Sequence, residues 1–333
     1  MQDELLYMMQ NSFPMTKKPF KALANELGVS EKEVLDTVQR LKEEKIIRQT
    51  SAIFDTKRLG YSSSLVAFKV DDIQRASEII NKHPGVSHNY ERNHEFNLWF
   101  TLAVPPDSSL GLQKTIDILA QITNAKEAIA LPTIKMFKIS VKLDTTGKKA
   151  KKEKVVKQKK IDIELTPKHY ALIREIQHDI PIVSEPFKES KDRLGLSYEE
   201  FFELANSLKE SGIMRRFATI LNHRKAGFTA NAMSVWSVPE EAGEEIGKKI
   251  ASFSAVSHCY LRPKYPNWPY NLFAMVHAKS QEACDDIIKE IAQEVGLDDY
   301  AKLYSTKEFK KQRIIYFDPA FHEWEEMAQL GID

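Results

Sequence analysis

The sequence LGVSEKEVLDTVQRL, residues 27–41, contains the local signals of two consecutive helices. Gly28 stands where a preceding helix needs a left-handed C-terminal residue. Ser30 and Glu33 form an S-x-x-E capping box, which satisfies backbone N–H groups at the start of the next helix. Apolar residues then recur at helical spacing, at Val34, Leu35, Val38 and Leu41. A helix, a Leu-Gly turn and a capped helix together predict a helix-turn-helix.

The same pattern occurs a second time, as LGLSYEEFFELANSL at residues 194–208. The offset of 167 residues holds from Pro19-Phe20, which recurs as Pro186-Phe187, to Gly60, which recurs as Gly227. Further segments recur at slightly larger offsets: Val86-Ser87-His88 as Val256-Ser257-His258, and Phe96-Asn97-Leu98 as Tyr270-Asn271-Leu272. A repeat this long indicates duplication and fusion of one subunit type, since solenoid repeats are shorter and more numerous.

A second module follows each helix-turn-helix. Val66, Phe68 and Val70 alternate with other residues, as a half-buried strand requires. The predicted elements after them are a helix at 73–80, strands at 86–92 and 96–103, a helix at 110–122 and a strand at 133–142. This βαββαβ order predicts a ferredoxin-like antiparallel sheet with helices on one face. The uncovered face is expected to pack against the other half of the chain.

The predicted fold class is therefore α+β, with two tandem units packed as a pseudo-dimer. The predicted domains are a helix-turn-helix module at 1–60, a ferredoxin-like domain at 61–143, a linker at 144–164, a second helix-turn-helix module at 165–227 and a second ferredoxin-like domain at 228–333. The linker has eight lysines, four acidic residues and no apolar periodicity. It could bind nucleic acid, but its position between two similar halves favours a solvated linker.

Composition excludes several classes of protein. Of 333 residues, 42% are apolar and 29% charged, which are ordinary values for a globular protein. No apolar run approaches the ~20 residues that span a bilayer, and the N-terminus has no pattern of a secretory signal. The two cysteines, Cys259 and Cys284, form no CxxC motif, which argues against a disulfide scaffold, a zinc ribbon or covalently attached haem. We expect a cytoplasmic protein.

The second helix of each helix-turn-helix is acidic. Residues 30–45 contain five acidic and four basic side chains, and residues 197–212 contain four acidic side chains and one basic, Lys209. Outside the linker the chain has slightly more acidic than basic residues. Carboxylates near phosphates and base edges are unfavourable, so we expect no specific DNA binding.

Several longer stretches carry a family resemblance. A helix-turn-helix followed by βαββαβ resembles the leucine-responsive regulator and AsnC superfamily, and GIMRRFATILNHRKAGF at 212–228 is similar to its hinge. Three stretches more specifically resemble the paired subunits of sirohaem decarboxylase, an enzyme family of that superfamily. They are HNYERNHEFNLWFTLAVP at 88–105, RRFATILNHRKAGFTANAMSVW at 215–236 and HCYLRPKYPNWPYNLFAMVHA at 258–278.

The resemblance implies a carboxy-lyase that removes CO₂ from two acetate side chains of sirohaem. The product would be 12,18-didecarboxysirohaem, on the way to haem or d-type haem. The family scheme needs no cofactor beyond the iron tetrapyrrole, which is the substrate. The partners implied are sirohaem and the other half of the chain, with further self-association left open. The alternative is a leucine-responsive or AsnC-type transcriptional regulator with a small-molecule or tetrapyrrole effector, or a tetrapyrrole sensor without chemistry.

Such a substrate is a flat apolar disc ringed by carboxylates. Its site needs apolar walls, cations at the rim and proton donors near the reacting acetates. Strand periodicity places His88, Tyr90 and Arg92 on one face, and their repeats on the matching face of the second half: His258, Tyr260 and Arg262. Each triplet supplies two candidate proton donors and a carboxylate anchor. Alternatively, they are polar residues that pair across the interface between the halves.

A basic cluster near residue 223 is the second candidate. His223 could be an axial ligand of the sirohaem iron or a proton donor. The cations that could hold substrate carboxylates are Arg215, Arg216, Arg224 and Lys225. A solvated hinge loop is the alternative. In the first half Thr56 replaces His223 and Gln49 replaces Arg216, so the second half is the better place for a site on this loop.

Three more residues have two interpretations each, and a fourth has one. His94 is either an acid in a second site or a turn residue. Trp268 and Tyr270, rigidified by Pro266 and Pro269, are either walls for the macrocycle or a packing corner. His277 lies in a predicted strand and is interpreted as structural.

Overall fold

The computed structural model describes residues 1–139, 161–222 and 230–331. The first half forms α1 (Gln2–Asn11), α2 (Pro19–Leu27), α3 (Glu31–Glu43), β1 (Ile47–Phe54), β2 (Ser62–Lys69), α4 (Ile73–Lys82), β3 (Val86–Arg92), β4 (Leu98–Val104), α5 (Gly111–Ile122), β5 (Glu127–Leu131) and β6 (Lys135–Ile139). The second half forms α6 (Pro167–Ile176), α7 (Lys188–Arg193), α8 (Tyr198–Glu210), β7 (Met214–Leu221), β8 (Ala230–Trp236), a short 3-10 turn (Glu240–Ala242), α9 (Gly243–Ser252), β9 (Val256–Leu261), β10 (Leu272–Ala278), α10 (Gln281–Val295), β11 (Tyr300–Lys311) and α11 (Ala320–Gln329).

These elements group into two compact units, and each unit combines parts of both halves. Unit 1 contains the described residues of 1–60, 161–222 and 315–317, with both helix-turn-helix modules. Unit 2 contains the described residues of 61–139, 230–314 and 318–331, with the sheets and their helices. The chain is thus α+β, and its two halves pair module by module.

In unit 1 the predicted helix starts and stops are present. Ser30 accepts a hydrogen bond from the Glu33 backbone N–H at 3.2 Å, and the Glu33 carboxylate accepts one from the Ser30 backbone N–H at 2.9 Å. Ser197 and Glu200 repeat this capping box in α8. Strands β1 and β7 then pair antiparallel, so that one strand from each half joins the modules into one unit.

In unit 2 the strand order is β5-β2-β4-β3-β11-β8-β10-β9-β6. Strands β5-β2-β4-β3 have the ferredoxin-like order of the first half, and β8, β10 and β9 with the first part of β11 repeat it. The halves also exchange strands. Residues 305–311 of β11 pair with β3, and β6 pairs with β9.

The prediction that residues 133–142 form the last strand of the first ferredoxin-like sheet is wrong. The last ferredoxin strand of the first half is β5, at Glu127–Leu131, which the sequence analysis missed. The predicted strand corresponds to β6, which pairs with β9 at the edge of the second-half sheet. Pro132 separates the two pieces because it has no N–H for a continuing ladder. In the second half the corresponding stretch stays one strand, β11.

Three apolar cores hold unit 2 together. Helices α4 and α5 cover one face of the first sheet, and α9 and α10 cover one face of the second. The third core lies between the two uncovered faces and includes Trp99 and Phe273. The expectation that the uncovered face packs against the other half is confirmed. The terminal helix α11 adds Trp324 to the core of the first sheet.

Candidate functional site

The first predicted triplet lies on β3, on the face turned away from α4. Asn89 points to the helix side, where its amide donates to Asn81 Oδ1 at 3.0 Å, so the alternate residues point to the inner face between the sheets. The rings of His88 and Tyr90 stack with centroids 6.2 Å apart and an interplanar angle of 28°. The Arg92 guanidinium lies 5.7 Å from the Tyr90 ring centroid. The three side chains are therefore neighbours.

The second triplet on β9 repeats this geometry. His258 and Tyr260 also stack at 6.2 Å and 28°, and the Arg262 guanidinium lies 4.9 Å from the Tyr260 ring centroid. All four His and Tyr side chains are half-buried, whereas both arginines are buried. The chain thus has two related faces, which we call the first-half face and the second-half face.

The two arginines bind backbone of the opposite half. Arg92 Nη1 donates to the carbonyl oxygen of Leu303 at 2.9 Å. Arg262 Nη1 donates to the carbonyl oxygen of Leu131 and to Thr133 Oγ1. Burial lowers the pKa of each guanidinium to about 10. This geometry matches the alternative interpretation, in which the arginines pair across the interface between the halves.

The first-half face has charged neighbours. On β11, Glu308 lies opposite Tyr90 and Lys311 opposite His88. Burial, followed by the Glu308 carboxylate, raises the pKa of Tyr90 to about 12. Ser87 Oγ lies 2.9 Å from His88 Nδ1 and 2.6 Å from Thr101 Oγ1.

The second-half face has apolar neighbours and an additional histidine. On β6, Met136 lies opposite Tyr260 and Ile139 opposite His258, and their exposed fractions are 48% and 46%. Ser257 Oγ lies 2.7 Å from His258 Nδ1 and 2.6 Å from His277 Nε2. Burial lowers the pKa of His258, and the nearby His277 lowers it further.

Trp268 lies in the core. It has no exposed surface, and its ring contacts those of Trp99 and Tyr270, each at 5.2 Å between centroids. This placement fits the packing-corner interpretation. Tyr270 is half-buried beside it. His94 Nδ1 accepts a hydrogen bond from the Phe96 backbone N–H at 3.1 Å, as a turn residue does, and burial lowers the pKa of its imidazole.

The predicted basic cluster is only partly described. Arg215 and Arg216 lie on β7 in unit 1. Arg215 forms an ion pair with Asp55 at 3.0 Å, and Arg216 Nη1 donates to the backbone carbonyl of Gln10 at 3.3 Å. His223, Arg224 and Lys225 lie outside the described residues.

The surroundings of the second-half face include three residues that were not predicted as part of a site: His277, Met136 and Ile139. His277, which the sequence assigns a structural role, alternates with Phe273 and Met275 on the inner face of β10. That alternation was readable from the sequence. Met136 and Ile139 could not be assigned to this face, because only strand exchange brings β6 beside β9.

Comparisons with known proteins identify the family. A model described as "AsnC-like ligand binding domain" matches residues 58–138 and 225–310, and one described as "Siroheme decarboxylase NirDL-like HTH domain" matches residues 2–48 and 170–215. A protein from Hydrogenobacter thermophilus named "Siroheme decarboxylase" is 44% identical over 324 residues, which cover 97% of this chain and 96% of that protein. The chain belongs to the sirohaem decarboxylase family. Its resemblance to that family in sequence is thereby confirmed.

Other members of the sirohaem decarboxylase family match either one half of this chain or nearly all of it. A "Siroheme decarboxylase beta subunit" from Methanosarcina barkeri is 45% identical over 140 residues, which cover 42% of this chain and 92% of that subunit. A crystal structure of the siroheme decarboxylase NirDL in co-complex with an iron-uroporphyrin III analogue has a TM-score of 0.82 and 38% identity, and the match covers 99% of both chains. The α+β fold of this chain, with its two repeated units, thus matches that solved structure.

Among residues 1–139, 161–222 and 230–331, no three His, Cys, Asp or Glu side chains cluster as a metal ion would require. Within the same ranges, no helix of this sirohaem decarboxylase family member is both long and apolar enough to cross a bilayer.

Proposed function

We propose that this chain removes CO₂ from two acetate side chains of sirohaem and releases 12,18-didecarboxysirohaem for haem or d-type haem synthesis. Membership of the sirohaem decarboxylase family over almost the whole chain supports this proposal. The related structure bound to an iron-uroporphyrin III analogue supports a tetrapyrrole substrate. The reaction needs no cofactor beyond the substrate iron tetrapyrrole, and we place it in the cytoplasm.

The second-half face is the better place for the chemistry. Met136 and Ile139 offer exposed apolar surface directly beside Tyr260 and His258. A flat macrocycle is favoured on apolar surface. On the first-half face Lys311 lies opposite His88, but the carboxylate of Glu308 lies opposite Tyr90, where it would repel an acetate carboxylate beside that proton donor. This difference between β6 and β11 is the observation that carries the assignment.

The chemistry requires one proton for each acetate. When the bond between the methylene carbon and the carboxylate carbon breaks, the electron pair stays on the methylene carbon and CO₂ leaves. A donor must then protonate that carbon to give a methyl group. His258 and Tyr260 are the stacked donors for this step. Poor solvation of the reacting carboxylate favours the step, because decarboxylation disperses its charge.

Cations would hold the carboxylates that do not react. We predict this role for four basic residues, which are Arg215, Arg216, Arg224 and Lys225. The iron of the substrate would take His223 as an axial ligand in the same hypothesis. Arg262 and Arg92 have a separate part in this proposal, which is to fix the backbone of the opposite half beside each triplet.

Anaerobic incubation with sirohaem tests the proposed function. The expected result is loss of two CO₂ from the substrate mass, without any added cofactor. A regulator or a sensor would shift the absorption spectrum of sirohaem on binding but leave its mass unchanged. Binding without a change of mass would therefore reject the enzyme and favour the alternative.

A further inference from the structure

The two strands that pair across the halves, β6 and β11, share a five-residue pattern. Residues 135–139 have the sequence KMFKI, and residues 307–311 have the sequence KEFKK. The first, third and fourth positions are Lys, Phe and Lys in both strands. Only the second and fifth positions differ: they are Met136 and Ile139 on β6, and Glu308 and Lys311 on β11.

The pattern on β6 contains a β-bulge at Phe137. The register with β9 passes directly from Met136 to Lys138, so the bulged strand has one extra residue. The extra residue shifts the alternation of the side chains. Met136 and Ile139 therefore point to the same face, although they are three positions apart. Strand β11 has the same register shift within residues 308–310.

The shared Phe and Lys of the pattern point away from the site, towards a helix. A Cβ at Gly247 in α9 would collide with the Phe137 ring, so this ring lies directly against the helix. Lys138 Nζ donates to the backbone carbonyl of Phe253, the C-cap of α9, at 2.8 Å. Both contacts fix the bulge on the helix side of the second sheet.

The first sheet has the same arrangement at the end of α4. Phe309 packs against the core under this helix. Lys310 Nζ donates to the backbone carbonyl of Asn81 at 2.8 Å and to that of His83, the C-cap of α4, at 3.4 Å. The shared residues thus build the same frame in both halves, and the two residues that differ point to each site face.

These two residues give the faces opposite chemistry. Met136 and Ile139 are apolar and about half exposed beside the His-Tyr pair of the second half. Glu308 and Lys311 occupy the same positions in the first half, and their charged groups lie 4.0 Å apart. A flat apolar ring placed over the charged pair would remove both charges from water, which is unfavourable. The apolar pair gains from the same contact.

We propose that the two site-facing residues of this bulged strand are the specificity-determining residues that decide which face binds the macrocycle. The inference rests on the proposed function and extends it from the acetates to the ring. Met136 and Ile139 bind the flat side of the ring in the second half. Glu308 and Lys311 keep the ring away from the first. Because the frames are the same, an exchange of the pairs moves the binding site to the other half.

Anaerobic absorption titrations with sirohaem test this inference. The first variant combines Met136→Glu with Ile139→Lys, which gives both faces the charged pair and leaves the net charge unchanged. The second variant adds Glu308→Met and Lys311→Ile, which completes the exchange. The control is Met327→Glu on α11, because Met327 has the same exposed fraction as Met136, 48%. Thermal denaturation verifies that each variant is folded.

We expect the first variant to bind sirohaem about 10-fold or more weakly than the wild-type protein, because the ring loses its apolar contact. The full exchange should bring the affinity back to within about three-fold of the wild-type value. Met327→Glu should also stay within about three-fold. If the first variant does not fold, Met136→Glu and Ile139→Lys are titrated singly, and at least one of them should weaken binding by about three-fold or more.

Wild-type affinity in the first variant would overturn the inference, and so would a full exchange that does not restore binding. An equal loss in Met327→Glu would also overturn it, because the effect would not depend on the site. The titration requires no turnover. A wild-type protein that binds sirohaem but releases no CO₂ would therefore reject the proposed function alone, and the comparison of affinities would still test the two pairs.

Discussion

Arg262, the residue directly after β9, donates a hydrogen bond to the carbonyl oxygen of Leu131 in β5, so a buried cation of the second half binds the backbone of the first. Arg92 makes the equivalent bond in the other half, from its Nη1 to the carbonyl oxygen of Leu303 at 2.9 Å. Both bonds lie beside the two His-Tyr pairs. The interface between the halves and the candidate site therefore share the same residues.

The first prediction concerns the stability contribution of this bond. Arg262→Met should lower the free energy of unfolding by about 1–3 kcal/mol, because it removes the charged donor that Arg262 supplies to the buried Leu131 carbonyl. Arg215→Met is the control, since it removes an exposed ion pair with Asp55 worth at most about 1 kcal/mol. Urea denaturation measures both. Equal losses would show that burial of Arg262 does not matter.

The second prediction concerns His83, which is buried against Trp324 with ring centroids 4.3 Å apart. Burial, with a smaller effect of Lys310, lowers the pKa of His83 to about 3, from an ordinary value of 6.5. Protonation therefore favours the unfolded state, and stability present above pH 6.5 is lost as the pH falls towards 3.

His83→Asn should remove this loss, because Asn keeps an acceptor for the Gly85 backbone N–H but does not titrate. Between pH 7 and 5.5 the wild-type protein should lose about 1 kcal/mol more than the variant. Denaturant titrations at both pH values measure the difference. Parallel pH profiles would mean that His83 is protonated equally in the folded and unfolded states.

The third prediction concerns DNA. The first turns of α3 and α8 each carry two acidic residues, and one carboxylate of each pair is held in a capping box. These helices should not bind duplex DNA specifically, because the carboxylates repel phosphates. Fluorescence anisotropy with labelled duplexes at low and high salt is the measurement. A salt-sensitive footprint at one defined sequence would support the regulator instead.

The fourth prediction compares His223 with its counterpart Thr56. Thr56 Oγ1 lies 2.7 Å from Tyr316 Oη, so Thr56→Ala should cost stability and little activity. His223→Ala should severely impair sirohaem turnover. Loss of an iron ligand would shift the absorption bands of bound sirohaem, whereas loss of a proton donor would leave them unchanged. Full activity with an unchanged spectrum would assign His223 to an ordinary hinge loop.

The repeat and the local signals predicted much of the fold. The capping boxes at Ser30 and Ser197 depend on residues three apart, so the sequence contains all that they need. The exchange of β6 and β11 could not be predicted, because it depends on pairing between strands more than 100 residues apart. Periodicity also placed His258 and Tyr260 on one face. It could not show that Arg262 is buried and donates a hydrogen bond to a backbone carbonyl, or that Trp268 is a core residue.

The central claim is that the second-half face carries out the decarboxylation. The most direct test compares His258→Ala with His88→Ala, whose rings occupy equivalent positions in the two halves. Formation of didecarboxysirohaem is measured anaerobically for both variants and the wild-type protein. We expect His258→Ala to slow product formation by about 100-fold or more and His88→Ala to slow it by less than about three-fold. The reverse order, or an equal loss in both variants, would contradict the assignment.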